Sequence, residues 1–418
     1  MNVSQYKVGS KRFIAFIGLN DIPILPLANA FLYDVFLNTS YSTKLRVAYE
    51  LKTVLNYFDA EEIDLELRVS SGLYIRQNEL SHFYGEMRLK KDSFSQKNLF
   101  SVPDNSESKY IRNAISASSF NKNKVSTETT TGRIRTLRKY LVYIHEHYHG
   151  DRQAPPNLKD SYNRVISKLK LRESYTQGTN SVSSVELVET VIPDEIYDSF
   201  KKIVLPSSKD NPFKKCKLRN YLILSILRQT GIRRSEVCKL KISDCQFYGD
   251  YNKIKIYSSP DDPTDTRLNK PDKKCGRSHF VGISVTLMKE IHFYIHHVRI
   301  KFEKATQHDF LFVSEKNTHK TAGLPITREM VNYILCKVSS KLGYKIHPHT
   351  LRHKWNEKLS IKGMNKGLDS EFIEDMRRSA MGWQPDSKMG RVYNDKYEQL
   401  SAIELMKEHQ EKIDGTKK

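Results

Sequence analysis

The repeating apolar pattern of this chain breaks twice near its middle, at Arg152–Asn157 and at Thr176–Ser184, where Pro, Asn, Ser and Thr take over. A single continuous core cannot be threaded through such breaks, and 418 residues suit two domains of about one to two hundred residues each. Residues 1–150 are therefore read as one domain, 151–188 as a linker region bracketing a short helix at about 160–171, and 189–418 as the second domain. With 38% hydrophobic and 10% aromatic residues, both parts can bury a core, and disorder is excluded.

Charge separates the parts further. Residues 1–200 carry 26 basic and 23 acidic side chains, whereas residues 201–350 carry 29 and 13. Most of the formal net charge of +21 thus lies in the first two-thirds of the C-terminal half, more than solubility needs. Such a surface concentrates a polyanion, and nucleic acid is the first candidate. The uncharged stretch from Ile22 to Tyr33 contains two prolines and is too short to span a bilayer. No basic segment with an apolar core and cleavage site opens the sequence, so a cytoplasmic, non-membrane protein is expected, nucleoid-associated if prokaryotic. The five cysteines, at 216, 238, 245, 275 and 336, form no C-x-x-C pair, and neither a structural metal nor a disulfide frame is expected.

The N-terminal part reads as helices: Leu25–Leu37, Thr43–Phe58, Gln77–Leu89 and, after a Ser/Asn-rich stretch at 101–125, Thr129–Tyr148. The last places Arg133, Arg135, Arg138 and Lys139 beside Ile134, Leu137, Leu141 and Ile144, a basic side next to a packed one and a candidate DNA contact. The C-terminal part mixes helices (194–204, 217–230, 284–300, 327–341, 349–361, 370–380 and a tail at 398–413) with strands at 253–258 and 277–283. Between the strands lies a polar insertion, Pro260–Gly276. The fold class is mainly α with a small antiparallel β-sheet.

Three stretches carry chemistry. Thr230-Gly-Ile-Arg-Arg-Ser-Glu236 sets Arg233 at a helix junction. His347-Pro-His-Thr-Leu-Arg-His-Lys-Trp355 puts His349 and Arg352 at i, i+3, on one helix face. A guanidinium fork suits two phosphate oxygens, and an imidazole moves a proton near neutral pH. Met381-Gly-Trp383 is followed ten residues on by Tyr393.

In this order, with a basic hairpin between the first two, these motifs resemble the tyrosine recombinase (phage integrase) family over roughly residues 190–405, with the helical N-terminal part matching its core-binding domain by layout. The resemblance implies Arg233, His349 and Arg352 around the phosphate and Tyr393 as nucleophile. Trp383 would stand where most members have histidine, its Nε1–H donating to a non-bridging oxygen. Matching His279-Phe-Val-Gly-Ile283 to the family's second hairpin strand puts the catalytic lysine at Lys274, with Lys273 and Lys270 as alternatives. Glu236 would buttress the site, and His353 would be structural. Two departures stand out: the tyrosine is one position further on than usual, which keeps Tyr397 as a second choice, and Cys275 replaces the glycine that usually follows the lysine. Further expectations are backbone contacts from Arg234, Lys270 and Lys273, no cofactor, and cleavage without metal or ATP. The two domains would clamp double-stranded DNA, self-assembly would give a tetramer on two DNA sites, accessory DNA-bending proteins would assist, and the tail helix would dock on a neighbouring protomer. The competing readings are a type IB topoisomerase and a non-catalytic DNA-binding protein on the same scaffold.

Overall fold

The computed structural model describes residues 1–9, 11–90, 124–150, 155–178, 192–249, 251–259, 262–271, 277–317, 320–384, 387, 402, 405–406, 409–411 and 413. The chain divides into two compact units, Met1–Ser181 and Val182–Lys418.

The first unit opens with an antiparallel hairpin, β1 (Asn2–Val8) and β2 (Lys11–Ile17), which the sequence reading missed. The reason is physical: β2 buries Ile14, Ala15 and Phe16 consecutively, so it shows no period-two alternation. Six helices follow: α1 (Pro26–Asp34), α2 (Tyr41–Ala60), α3 (Leu65–Ser70), α4 (Gln77–Glu86), α5 (Thr127–His149) and α6 (Pro156–Gly178). Helices α2 and α5 start where a serine can take an orphan N–H: Ser40 accepts from Thr43, and Ser126 from Thr129. Val47, Leu51, Val54 and Phe58 of α2 meet Ile134, Leu137, Leu141 and Ile144 of α5 in one core. Where a linker with a short helix was expected, α6 runs for 23 residues and closes that core with Val165, Ile166 and Leu169.

The second unit comprises α7 (Asp194–Ile203), α8 (Lys217–Thr230), α9 (Arg234–Lys239), α10 (Val285–Phe293), α11 (Arg328–Leu342), α12 (Pro348–Met364) and α13 (Ser370–Met381). A three-stranded antiparallel sheet has the order β3 (Cys245–Gln246), β4 (Lys253–Ile256), β5 (His279–Gly282). Ile254 and Val281 are cross-strand partners and face the core that Leu222, Ile226, Leu287, Ile291, Val331 and Leu351 complete. The helix expected over 284–300 changes pitch: α10 passes into a π turn at Tyr294–Val298 and then a 3-10 turn at Arg299–Lys301. The described part of the polar insertion is pinned rather than loose. Arg267 pairs with Asp265 at 2.8 Å and donates to the Cys238 carbonyl at 3.0 Å, while Lys241 pairs with Asp262 at 2.7 Å.

Positions 402, 405, 406, 409–411 and 413 of the expected tail helix are helical, with Leu405, Met406 and Ile413 exposed; its other residues lie outside the described set.

Candidate active site

Helix α8 ends at Gly231, whose φ of 65° lies in the left-handed region that glycine enters without a Cβ penalty. A Cβ there would stand 2.7 Å from Met381 Cε and 3.0 Å from the Trp355 ring, so the position is closed to side chains by space as well as by dihedral. The turn releases Arg233 as the extended residue before α9, where Glu236 Oε2 accepts from its backbone N–H at 2.6 Å. Glu236 Oε1 also takes Arg233 Nη1 at 3.3 Å, and with only 2% of its side chain exposed the carboxylate acts as a fixed buttress. Arg233 keeps a quarter of its side chain exposed.

Helix α12 starts at Pro348, and Thr350 Oγ1 accepts from the His347 N–H at 3.0 Å. His349 therefore sits in the first turn, at the positive end of a 17-residue helix, where anions are favoured. Its ring stays exposed, yet its pKa is pushed down. Desolvation is the largest cause, followed by His347 and then by the positive charges of Arg352, Arg233 and Arg234. One turn on, Arg352 is buried and donates Nη1 to the Gly231 carbonyl at 2.7 Å. The first two sequence motifs thus meet in one cationic corner.

The third motif arrives from below. Trp383 is buried against Met381 and Trp355, with the Arg352 guanidinium 5.7 Å from its ring centroid. Its Nε1 atom is buried, and the face of the ring lies toward the Arg352 guanidinium. Trp355 and Gln229, which the sequence reading did not single out, tie the corner together. Trp355 Nε1–H donates to the Gln229 carbonyl at 2.8 Å, while the Gln229 side chain accepts from Ser284 N–H at 3.1 Å and donates to Ser284 Oγ at 3.2 Å. The strand leaving the hairpin is anchored beside Trp383, since Arg277 N–H donates to the Gly382 carbonyl at 3.1 Å.

Tyr393, Tyr397, Lys273 and Lys274 lie outside the described residues. Lys270 is 4% exposed and gives its ammonium to the Asp262 carbonyl at 2.9 Å, which corrects its reading as a DNA contact or hairpin lysine: burial spends it inside the insertion. Arg234 lies at the rim and donates to Asn332 Oδ1 at 2.6 Å. His353 is half-buried on α12.

The basic side of α5 also needs correction. Arg133 is buried, donating to the Met87 and Leu89 carbonyls at 2.7 and 3.0 Å. Arg138 and Arg135 both pair with Glu173 of α6, at 2.5 and 3.4 Å, and Lys139 lies over the Phe36 ring. Much of that charge holds helices together, and Arg135 remains the most open of the three arginines.

Among the described residues no group of three or more His, Cys, Asp or Glu could hold a metal ion, and no helix is long and apolar enough to cross a membrane. Residues 198–399 match the phage integrase family. The tyrosine recombinase XerC of Staphylococcus aureus (strain bovine RF122 / ET3-1) is 26% identical over 258 residues, 60% of this chain and 74% of the relative. XerC of strain USA300 / TCH1516 is 27% identical over the same length. The crystal structure of the XerH site-specific recombinase in a post-cleavage complex with a palindromic difH substrate shares the fold, with a TM-score of 0.50 at 15% identity, covering 91% of this chain and 95% of that one. Residues 198–399 of this chain thus form a phage integrase family domain, and its curated relatives are tyrosine recombinases.

Proposed function

We propose that this protein is a site-specific DNA recombinase that cuts and rejoins duplex DNA through a 3′-phosphotyrosine at Tyr393, integrating or excising a mobile element. The observation that carries this reading is the bond from Arg352 to the Gly231 carbonyl, which holds one guanidinium beside the turn that presents the other, with His349 in the field of both.

In the proposed reaction the Tyr393 phenol oxygen attacks phosphorus and the bond to the 5′-oxygen breaks. A phenol titrating near 10 needs a base, and an imidazole held neutral first by desolvation and then by its cationic surroundings accepts that proton. Arg233 and Arg352 stabilise the charge growing on the non-bridging oxygens; losing one such donor costs roughly 10²–10³ in rate. Lys274 returns a proton to the departing oxygen. The phosphodiester's free energy is kept in the tyrosyl ester, so the second strand rejoins by the reverse steps.

The excess charge of the second unit and the open cations of the first supply contacts to phosphates. The protein acts in the cytoplasm as a tetramer on two DNA sites, aided by accessory DNA-bending proteins, with the exposed apolar positions of its tail helix docking on a neighbouring protomer. Tyr393→Phe tests the reading on a nicked suicide substrate: the parent traps a covalent DNA adduct and the variant traps none. Adduct at the parental level in the variant removes Tyr393 as nucleophile.

A further inference from the structure

The second unit holds a cleft that the catalytic corner does not use. The approach to α8, the turn at Glu315 and one face of α11 line a cavity of about 810 Å³, the size of a ligand site. Arg219 near the start of α8 lies twelve residues before Gly231, about 18 Å along the helix axis. Filling the cleft therefore leaves the catalytic corner open.

Its lining is apolar on one side. Met330, Tyr333 and Ile334 of α11 recur at helical spacing on a single stripe, and Phe213 joins them from the approach to α8. Tyr333 is half exposed, at 51%, although Val331, Leu335 and Val338 of the same helix are fully packed. The rim is basic. Lys214, Lys215, Lys316 and Lys337 are exposed, and none has an ion-pair partner among the described residues. Lys337 lies 5.6 Å from the Tyr333 ring centroid, which sets a cation directly beside the apolar stripe.

The buried end of the cleft is basic as well. Arg219 is 3% exposed, and its hydrogen bonds go to neutral acceptors. Its Nη1 donates to the Val313 carbonyl at 3.0 Å, and its Nε and Nη2 donate to Asn220 Oδ1 at 3.1 and 2.8 Å. Buried charges are ordinarily paired, and a guanidinium has five N–H donors, so this one keeps capacity for a carboxylate. Against these cations the lining sets a single acid, Glu315. Cys216 adds no negative charge, because desolvation, the largest cause, pushes its thiol up.

We propose that this cleft docks an acidic, apolar segment of a partner protein. The segment's carboxylates meet the lysine rim and Arg219, and its apolar side chains cover Phe213, Met330 and Tyr333. Charge complementarity selects the acid. The apolar stripe selects a peptide over a nucleic-acid backbone, since phosphates would use the lysines and leave that stripe bare. The proposal stands apart from the assignment of duplex DNA as substrate.

The test titrates the full chain into a fluorescein-labelled peptide, Glu-Asp-Phe-Leu-Glu-Asp-Leu, and follows its anisotropy. The parent should bind, and the affinity should fall as salt rises. Lys214→Glu with Lys316→Glu should weaken binding by about tenfold or more. The melting temperature of that variant should match the parent, because both lysines are exposed and unpaired. Tyr333→Ser should weaken binding too, an effect that a purely ionic contact would not show. A parent that ignores the peptide, or binds equally well a version with every acid replaced by its amide, overturns the proposal. Binding that survives Tyr333→Ser but yields to a random-sequence duplex makes the cleft a DNA contact. Displacement by residues 398–413 supplied as a free peptide makes it a contact between copies of this chain. Either of these last results overturns the proposal as well.

Discussion

Arg352 reaches across 121 positions of sequence to place its Nη1 2.7 Å from the carbonyl of Gly231. The left-handed turn at Gly231 aims that carbonyl, and the same turn sends Arg233 out as the residue before α9. One backbone turn therefore serves both guanidinium groups.

Gly231→Ala should accordingly be costly. A left-handed non-glycine residue costs about 1–2 kcal/mol, and forcing a methyl against Met381 and Trp355 adds about 1–3 kcal/mol. Denaturant unfolding should show a loss of about 2–5 kcal/mol, and strand cleavage at a temperature where the variant is folded should fall as well. A variant as stable and as active as the parent contradicts the role given to this turn.

The pH profile of cleavage follows from His349. Its folded pKa lies below the ordinary 6.5, so the neutral, proton-accepting form persists into mild acid and the acid limb of the rate should fall below that value. Arg234 contributes to the depression, and Arg234→Gln should move the limb up toward 6.5 without passing it. For stability the sign is the same for His349, His347 and His308, all depressed by burial first. The unfolded chain takes up protons before the fold does, so their stabilisation is complete above about 6.5 and is lost as pH falls through the folded values. Melting temperature measured from pH 7.5 to 5 should decline.

Replacement of Trp383 separates ring face from indole N–H. With Arg352 5.7 Å from the ring centroid and Nε1 buried, Trp383→Phe should keep cleavage within about tenfold of the parent, while Trp383→Ala should lose about 10². Equal losses in both variants, measured in single turnover, would point back to the N–H donor.

Trp355 offers a graded test of the mount beneath the arginines. Trp355→Phe removes the bond to the Gln229 carbonyl and should cost about 1 kcal/mol, whereas Trp355→Ala also opens a cavity and should cost about 3–5 kcal/mol. Chemical unfolding of the two variants gives the comparison directly.

Arg133 should behave as a structural residue despite its charge. Arg133→Ala strands the Met87 and Leu89 carbonyls and should cost about 2–3 kcal/mol, with no change in the salt slope of DNA binding. A shallower slope without a stability loss would restore it to the DNA surface.

Local signals were legible wherever they were strong. Helix α8 follows its predicted 217–230 bounds because Gly231 punctuates it, and α2 and α5 lie within two residues of the expected ends because Ser40 and Ser126 cap them. That His349 and Arg352 are neighbours on one helix was readable because an i, i+3 spacing records which side chains share a turn, and the Gly231 punctuation put Arg233 at a helix junction. Pairings across long separations were not. Nothing near Arg138 announces Glu173, 35 positions on, and nothing in Pro260–Gly276 shows that Lys270 folds back on Asp262. Trp355 lay inside a motif already noticed, yet its bond to the carbonyl of Gln229, 126 positions earlier, has no sequence signature.

The hydrogen bond from Arg277 to Gly382 joins two threads of chain that leave in different directions. One runs back by a single peptide link to the segment carrying Lys274; the other runs forward to Tyr393. On the roles proposed for Lys274 and Tyr393, a shared knot of this kind would set proton donor and attacking phenol on one timetable, so that a chain drawing back its nucleophile would also slacken the residue that lets the leaving strand go.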